Sequence, residues 1–229
     1  MLAKRFFLCA LLILSASCAN ARRTNSNPKV KSSVSKAAPR PPISKKPAPL
    51  IIIDAGHGGF DNGASCGGLL EKISALRTAK LVQTHLIKKG YRVKMTRTKD
   101  EFIPLAKRAQ IANQAKARLF VSIHYNAAKS AEAKGIEVYY YNSKEPWRLN
   151  GSKKLATCVL HRLIARTGAR SRGVKTGNFH VIRETDMPSI LVEGGFVTNK
   201  NERSLLKEYR YLDRIALSVA EGVDRYFKS

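Results

Sequence analysis

Leu50-Ile51-Ile52-Ile53-Asp54-Ala55-Gly56-His57-Gly58-Gly59 is the stretch that decides the fold, because four branched apolar residues run directly into a polar, glycine-rich elbow. An unbroken apolar run of this kind suits a strand covered on both faces, as at the centre of a parallel sheet. His57 then stands at the strand's C-terminal end, where open α/β sheets carry their ligands and reacting groups. Leu119-Phe120-Val121-Ser122-Ile123-His124 and Ser189-Ile190-Leu191-Val192-Glu193-Gly194-Gly195 repeat the pattern. Each apolar run ends in a side chain able to bind metal or move a proton. If the strands are parallel neighbours, His57, His124 and Glu193 converge on one edge of the sheet.

Helical and extended patterns alternate around these strands. Glu71 opens a helix to about Lys89, with Ile73, Leu76, Ala79, Val82 and Leu86 on one face and Gly90 as its stop. Tyr91–Met95 reads as a strand and Pro104–Ala117 as a helix. Ile136–Tyr141 reads as a strand, Ser152–Thr167 as a helix, Phe179–Ile182 as a short strand and Leu212–Phe227 as the last helix. Asn199 and Glu202 have the spacing of a capping box. The expected fold is α/β, a twisted, mostly parallel sheet of about six strands with helices on both faces.

Upstream of Leu50 the composition changes. Residues 1–21 combine Lys4-Arg5, an apolar run from Phe6 to Leu14 and Ala19-Asn20-Ala21, the pattern of a secretory signal peptide. A competing reading makes Cys18 the lipid acceptor of a lipoprotein signal and hence a membrane anchor. Residues 22–49 form a basic linker rich in Pro, Ser and Lys that lacks the apolar content to fold, and residues 50–229 form the catalytic domain. The chain is therefore expected to be exported to the periplasm or cell envelope. Charge is the unusual feature, with 42 basic against 16 acidic residues. Ten of the basic residues lie in the first 48, which hold no acid, so the remainder is still at +16. Such a field favours anionic partners, and export removes most nucleic-acid roles. Cys66 and Cys158 have no metal-type spacing, and a disulfide between them is left open.

His57, Glu71 and His124 supply two imidazoles and a carboxylate, the donor set of an open catalytic zinc site. Glu71, at a helix start 14 residues after His57, can fold back across the glycine-rich loop. Glu193 is assigned the proton transfers, since its strand ends in the same place. Asp54 and Asn126, near the histidines in sequence, are assigned to orienting the imidazoles or contacting substrate. His85, His161 and His180 are read as structural.

Asp54-Ala55-Gly56-His57-Gly58-Gly59, Glu71-Lys72, Thr96-Arg97-Thr98 with Asp100, Arg108 with Ala112-Asn113, Ser122-Ile123-His124-Tyr125-Asn126 and Met187 to Phe196 together resemble the successive motifs of the zinc-dependent N-acetylmuramoyl-L-alanine amidases of amidase type 3. The resemblance covers about residues 50 to 227. It implies Zn2+ on His57, Glu71 and His124, Glu193 as catalytic acid/base, and peptidoglycan stem peptides as substrate. Many division amidases of that family carry an occluding helix between the second histidine and the last glutamate. Here the strand, helix and strand assigned to residues 125–192 use up the length, so no occluding helix and no activator protein are expected. Two competing readings remain. Lys175-Thr176-Gly177, Tyr140-Tyr141-Asn142 and three Ser-x-x-Lys matches (at Ser26, Ser33 and Ser204) suggest an additional, penicillin-sensitive serine-type D,D-carboxypeptidase activity, and the charge alone suggests a non-catalytic basic wall-binding protein.

Overall fold

A computed structural model describes residues 47–229, so the expected signal peptide, Cys18 and most of the linker lie outside the described residues. The elements run β1 (Leu50–Ala55), a small hairpin of β2 (Ser65–Cys66) and β3 (Leu69–Leu70), α1 (Glu71–Lys88), β4 (Arg92–Met95), α2 (Leu105–Gln114) and β5 (Leu119–Asn126). After these come β6 (Ile136–Tyr140), α3 (Pro146–Thr167), β7 (Ser171–Thr176), α4 (His180–Arg183), β8 (Ser189–Phe196), α5 (Lys200–Leu205) and α6 (Tyr209–Lys228). The main sheet has six strands in the order β4-β1-β5-β8-β6-β7. Four of them are parallel, and β6 joins β8 antiparallel with β7 parallel to β6. The three apolar runs are thus adjacent parallel strands, and the expected mostly parallel α/β sheet is what forms.

Side-chain alternation sorts the strand residues onto two unequal faces. Ile51, Ile53, Val121, Ile123, Ile190 and Val192 pack into a large core with α1, α3 and α6. Ile52, Phe120 and Leu191 face a smaller core closed by Ala112 of α2 and by Val181 and Ile182 of α4. Further along the same alternation come Asp54, Ser122, His124 and Glu193. The small face therefore starts apolar and turns polar toward the strands' C-terminal ends.

One expected strand is corrected and one strand had no expectation. Phe179–Ile182 is not a strand, since residues 180–183 form one helical turn closed by Arg183 N–H donating to the Phe179 carbonyl at 2.9 Å. Its Val181 and Ile182 are buried as a lid on Phe120, a job that a single turn performs as well as a strand. Ser171–Thr176 is an edge strand with no apolar signature, because β7 pairs only with β6 and stays half-exposed. In addition, α3 starts six residues before the expected Ser152, with Pro146 in its first turn. The Asn199 side chain does cap α5 by accepting from Glu202 N–H at 3.2 Å, while the Glu202 carboxylate turns away to Gly135 and Phe196 N–H, each at 2.7 Å.

Asp54 is fully buried, and its Oδ1 accepts from Thr96 Oγ1 at 2.6 Å and Arg108 NH1 at 3.0 Å while Oδ2 accepts from Ser122 Oγ at 2.6 Å. Burial alone would raise the carboxyl's pKa, but the Arg108 charge and the two hydroxyls hold it below its ordinary value. Its stabilising contribution is therefore complete above the unfolded carboxylate's pKa and is lost as pH falls through the lower, folded value. Asp54→Ala strands the Arg108 charge, and the expected loss is about 3–5 kcal/mol. Urea denaturation across pH 3–7 should show that loss at neutral pH together with a flattened acid limb.

Candidate metal and catalytic site

The elbow after β1 is shaped by backbone that a side chain would obstruct. A Cβ on Gly56 would lie 2.3 Å from His124 Cε1, so glycine lets the chain pass directly beside the second imidazole. His57 itself adopts φ +60°, a left-handed conformation costly for a residue with a Cβ. Two buried arginines hold it there. Arg108 donates to the carbonyls of Ala55 (2.6 Å) and His57 (2.7 Å), and Arg97 to those of Ala55 (2.9 Å) and Gly56 (2.6 Å).

The left-handed turn brings His57 Nε2 to 3.1 Å from Glu71 Oε1, and the same oxygen lies 2.9 Å from His124 Nδ1. Glu71 is buried at the first position of α1, where Tyr125 N–H (3.1 Å) and Ala64 N–H (2.8 Å) fix its two oxygens. Burial would raise its pKa, yet hydrogen bonds and charge from His124 and His57 hold it well below the usual carboxylate range. Metal-capable atoms of His57, Glu71 and His124 all lie within 4.8 Å of one another. The two measured edges are close to the roughly 3.3 Å expected between ligand atoms of a tetrahedral zinc with bonds near 2.0 Å. The donor set and its spacing therefore fit zinc.

The residue that orients His57 is Asp61, which sequence reasoning missed. Both its oxygens lie 2.9 Å from His57 Nδ1, leaving Nε2 to face Glu71. A tight turn, with Gly58 N–H donating to the Asp61 carbonyl at 2.9 Å, folds Asp61 back onto the ring. The four-residue spacing in a glycine-rich loop was the available signal. Neither Asp54 nor Asn126 orients an imidazole. Asp54 faces Arg108, and Asn126 Nδ2 donates to Glu137 Oε1 at 2.6 Å. Both lie on the same face of the sheet as His124, but nearer partners take them: Arg108 and Ser122 for Asp54, and Glu137 for Asn126.

Glu193 stands in register with His124 across β5 and β8. Its Oε2 is buried and has no hydrogen-bond partner. Burial, and then the nearby Glu71 and Glu137 carboxylates, push its carboxyl well above the usual range. Glu137, in register on the other side, was also missed. Its own carboxyl is held low despite burial, because it accepts from Lys175 (2.5 Å), Arg172 (2.9 Å) and Tyr139 (2.9 Å).

Of the other singled-out residues, only Lys175 reaches this cluster, through Glu137. His85 Nε2 pairs with Asp213 at 2.7 Å, and Cys66 and Cys158 carry free thiols. Lys175 is engaged by Glu137, and Ser204 Oγ donates to the Lys200 carbonyl at 3.1 Å. The supposed serine-enzyme motifs are not drawn together by these contacts. Between His124 and Glu193 lie β6, α3, β7 and α4, and α3 is spent packing against α6 and the sheet.

Comparison with known proteins gives a family match over residues 51–225, described as N-acetylmuramoyl-L-alanine amidase. The chain is 42% identical over 178 residues to the N-acetylmuramoyl-L-alanine amidase LytC of Bacillus subtilis, covering 78% of this chain and 35% of LytC. It thus spans about a third of that relative's length. Among solved structures, an N-acetylmuramoyl-L-alanine amidase from Clostridium difficile 630 matches with TM-score 0.76 and 38% identity, covering 80% of this chain and 99% of the other. The CwlD amidase of Clostridioides difficile, solved in complex with the GerS lipoprotein, matches with TM-score 0.74 and 28% identity over 79% of this chain and 98% of the other.

Asp61→Ala should leave the urea midpoint nearly unchanged while lowering zinc affinity by about 10- to 100-fold, the usual effect of losing a carboxylate that orients a ligating histidine. Competition against a chelating dye measures it. An affinity equal to the parent's would show that Asp61 has no orienting role.

Proposed function

Because the chain belongs to the N-acetylmuramoyl-L-alanine amidase family, we propose that it hydrolyses the amide between N-acetylmuramic acid and the L-alanine of the stem peptide in peptidoglycan. The observation that carries this reading is the His57–Glu71–His124 cluster beside Glu193, whose buried Oε2 has no hydrogen-bond partner. Zinc bound there supplies Lewis acidity, bringing a water's pKa toward neutrality and polarising a carbonyl. His57, Glu71 and His124 would hold the ion. Asp61 keeps the proton on His57 Nδ1, so that Nε2 presents its lone pair. Glu193 takes a proton from the attacking water and delivers it to the leaving amine of L-alanine. Burial and the neighbouring Glu71 and Glu137 carboxylates shift its pKa upward, in the direction that favours returning the proton.

Several features support the wider reading. The pattern of residues 1–21 supports export, with residues 22–49 as a tether and 50–229 as the catalytic domain. Among the described residues no helix is long and apolar enough to cross a membrane. An envelope location agrees with the family's wall substrate. The packing of α3 against α6 supports an enzyme that needs no activator to clear its site, although the related CwlD was solved with a lipoprotein partner.

Purified peptidoglycan incubated with the metal-stripped chain should release nothing. Restored zinc should release stem peptides with a free L-alanine amino end, identified by mass spectrometry. Glu193→Gln should lower kcat by roughly 10²- to 10⁴-fold while zinc stoichiometry stays at the parent level. Zinc-independent release, or release of terminal D-alanine only, would overturn the assignment. Full activity of the purified chain without added protein is also expected.

A further inference from the structure

A second concave site lies at the opposite end of the sheet from the metal cluster. A cavity of about 560 Å³ is lined by Lys116, Arg118, Trp147, Lys154, Pro188 and Tyr226, among others. Arg118 immediately precedes β5 and Pro188 immediately precedes β8, whereas His124 and Glu193 lie toward those strands' other ends. At 3.3 Å per strand residue the two sites are roughly 20 Å apart.

The lining has a definite chemistry. Trp147 is the chain's only tryptophan and is 59% exposed, an unusual position for so large an apolar ring. Lys154 lies 5.3 Å from the Tyr226 ring centre and donates to the Ser229 main-chain oxygen at 2.7 Å. Lys116 and Arg118 are exposed, and no carboxylate among the described residues pairs with either, whereas Arg162 and Arg166 share Glu221. Asp186 is the one acid in the lining. Lys116 is moreover one of two non-glycine residues at positive φ among those described, the other being His57. It occupies the left-handed position after α2, with Lys116 N–H on the Asn113 carbonyl and Ala117 N–H on that of Ala112, a place where glycine is the comfortable residue. A lysine is held there against its own backbone preference.

We propose that this cavity is a binding site for an acidic sugar unit, with the pyranose stacked on Trp147 and its carboxylate facing Lys116 and Arg118. The choice of ligand rests on the amidase reading above. Hydrolysis breaks the acyl C–N bond, adds the water oxygen to the lactyl carbon as a carboxylate and leaves the peptide as an ammonium. Each turnover thus turns a neutral amide on the glycan into an anion, and the glycan stripped of its stems is a regular polyanion of sugars. The cavity's aromatic platform and unpaired cations match that product strand and give the enzyme a hold on the wall away from its reaction centre.

The test uses Trp147 fluorescence of the full chain, which reports on this cavity alone. Titration with glycan oligomers of alternating N-acetylglucosamine and N-acetylmuramic acid, with free lactyl carboxylates, should give a saturable change in emission. Neutral N-acetylglucosamine oligomers of equal length should bind several-fold more weakly. Lys116→Gly should weaken acidic glycan binding by roughly three- to fivefold while raising Tm by about 2–4 °C through relief of the left-handed lysine, so that weaker binding is separated from misfolding. Arg118→Gln should weaken it comparably, and all should retain zinc-dependent turnover of a small soluble muropeptide. The proposal is overturned if emission does not respond, if neutral oligomers bind equally well, or if a short oligonucleotide binds as tightly, since charge alone would then suffice. Binding without amidase activity would leave the cavity assignment standing and remove the reaction, whereas activity without binding would do the reverse.

Discussion

The carbonyls of residues 55, 56 and 57 are gathered by two buried guanidinium groups, and the geometry of the site depends on that clasp. A strand that must end in a left-handed histidine is unstable by itself. Arg108 and Arg97 occupy the carbonyls that the turn leaves unpaired, and Asp54 balances the charge that Arg108 brings inside. Asp54 thus holds the site together without a hydrogen bond to His57, Glu71 or His124. The arrangement couples fold to function. The same carboxylate that joins β1 to α2, and through Ser122 to β5, fixes where His57 can point.

The two faces of the sheet divide the labour. Long helices α1, α3 and α6 bury one face over its whole extent. On the other face the short α2 and α4 cover only the apolar beginning of the strands. Alternation carries that second face on into Ser122, His124, Glu193 and Glu137, polar side chains that could not have been covered without partners for each. An uncovered half-face of a parallel sheet, at the strands' C-terminal ends, is thereby left open for substrate.

What could be read from the sequence followed from this plan. His57, His124 and Glu193 were legible because each ends an apolar run, and Glu71 because it opens a helix at the right remove. The arginines stood out as motif residues, but their role did not, since a guanidinium that reaches backbone carbonyls leaves no periodic trace. Asp61 was obscured because its contact depends on a turn of glycines at positive φ, which composition does not specify. Glu137 was obscured for another reason: an acid within the apolar run Ile136–Tyr140 reads as an exposed position until β7 supplies Arg172 and Lys175. That strand was itself invisible, being a charged edge. Asp54 and Asn126 were placed by nearness in sequence, and both share the face of His124 but hydrogen-bond to other neighbours, Asp54 to Arg108, Thr96 and Ser122 and Asn126 to Glu137.

Three carboxylates within this small space are kept in different states by their neighbours. Glu71 meets two imidazoles and backbone N–H groups and is held ionised, ready to donate to a cation. Glu137 meets two cations and a phenol and is likewise held ionised. Glu193, flanked by both, receives their negative field without a hydrogen bond to its buried oxygen, so it alone of the three has its pKa pushed above the ordinary carboxylate range. Pairs of acids whose surroundings push their pKa values apart mark the division between ligand and proton carrier. Here the division follows from which strand brings the cations: β7 delivers Lys175 and Arg172 to Glu137 and not to Glu193. The edge strand with the least apolar sequence in the sheet therefore bears on the centre of the site, because its two cations keep Glu137 ionised and the Glu137 charge in turn helps to push the Glu193 carboxyl upward.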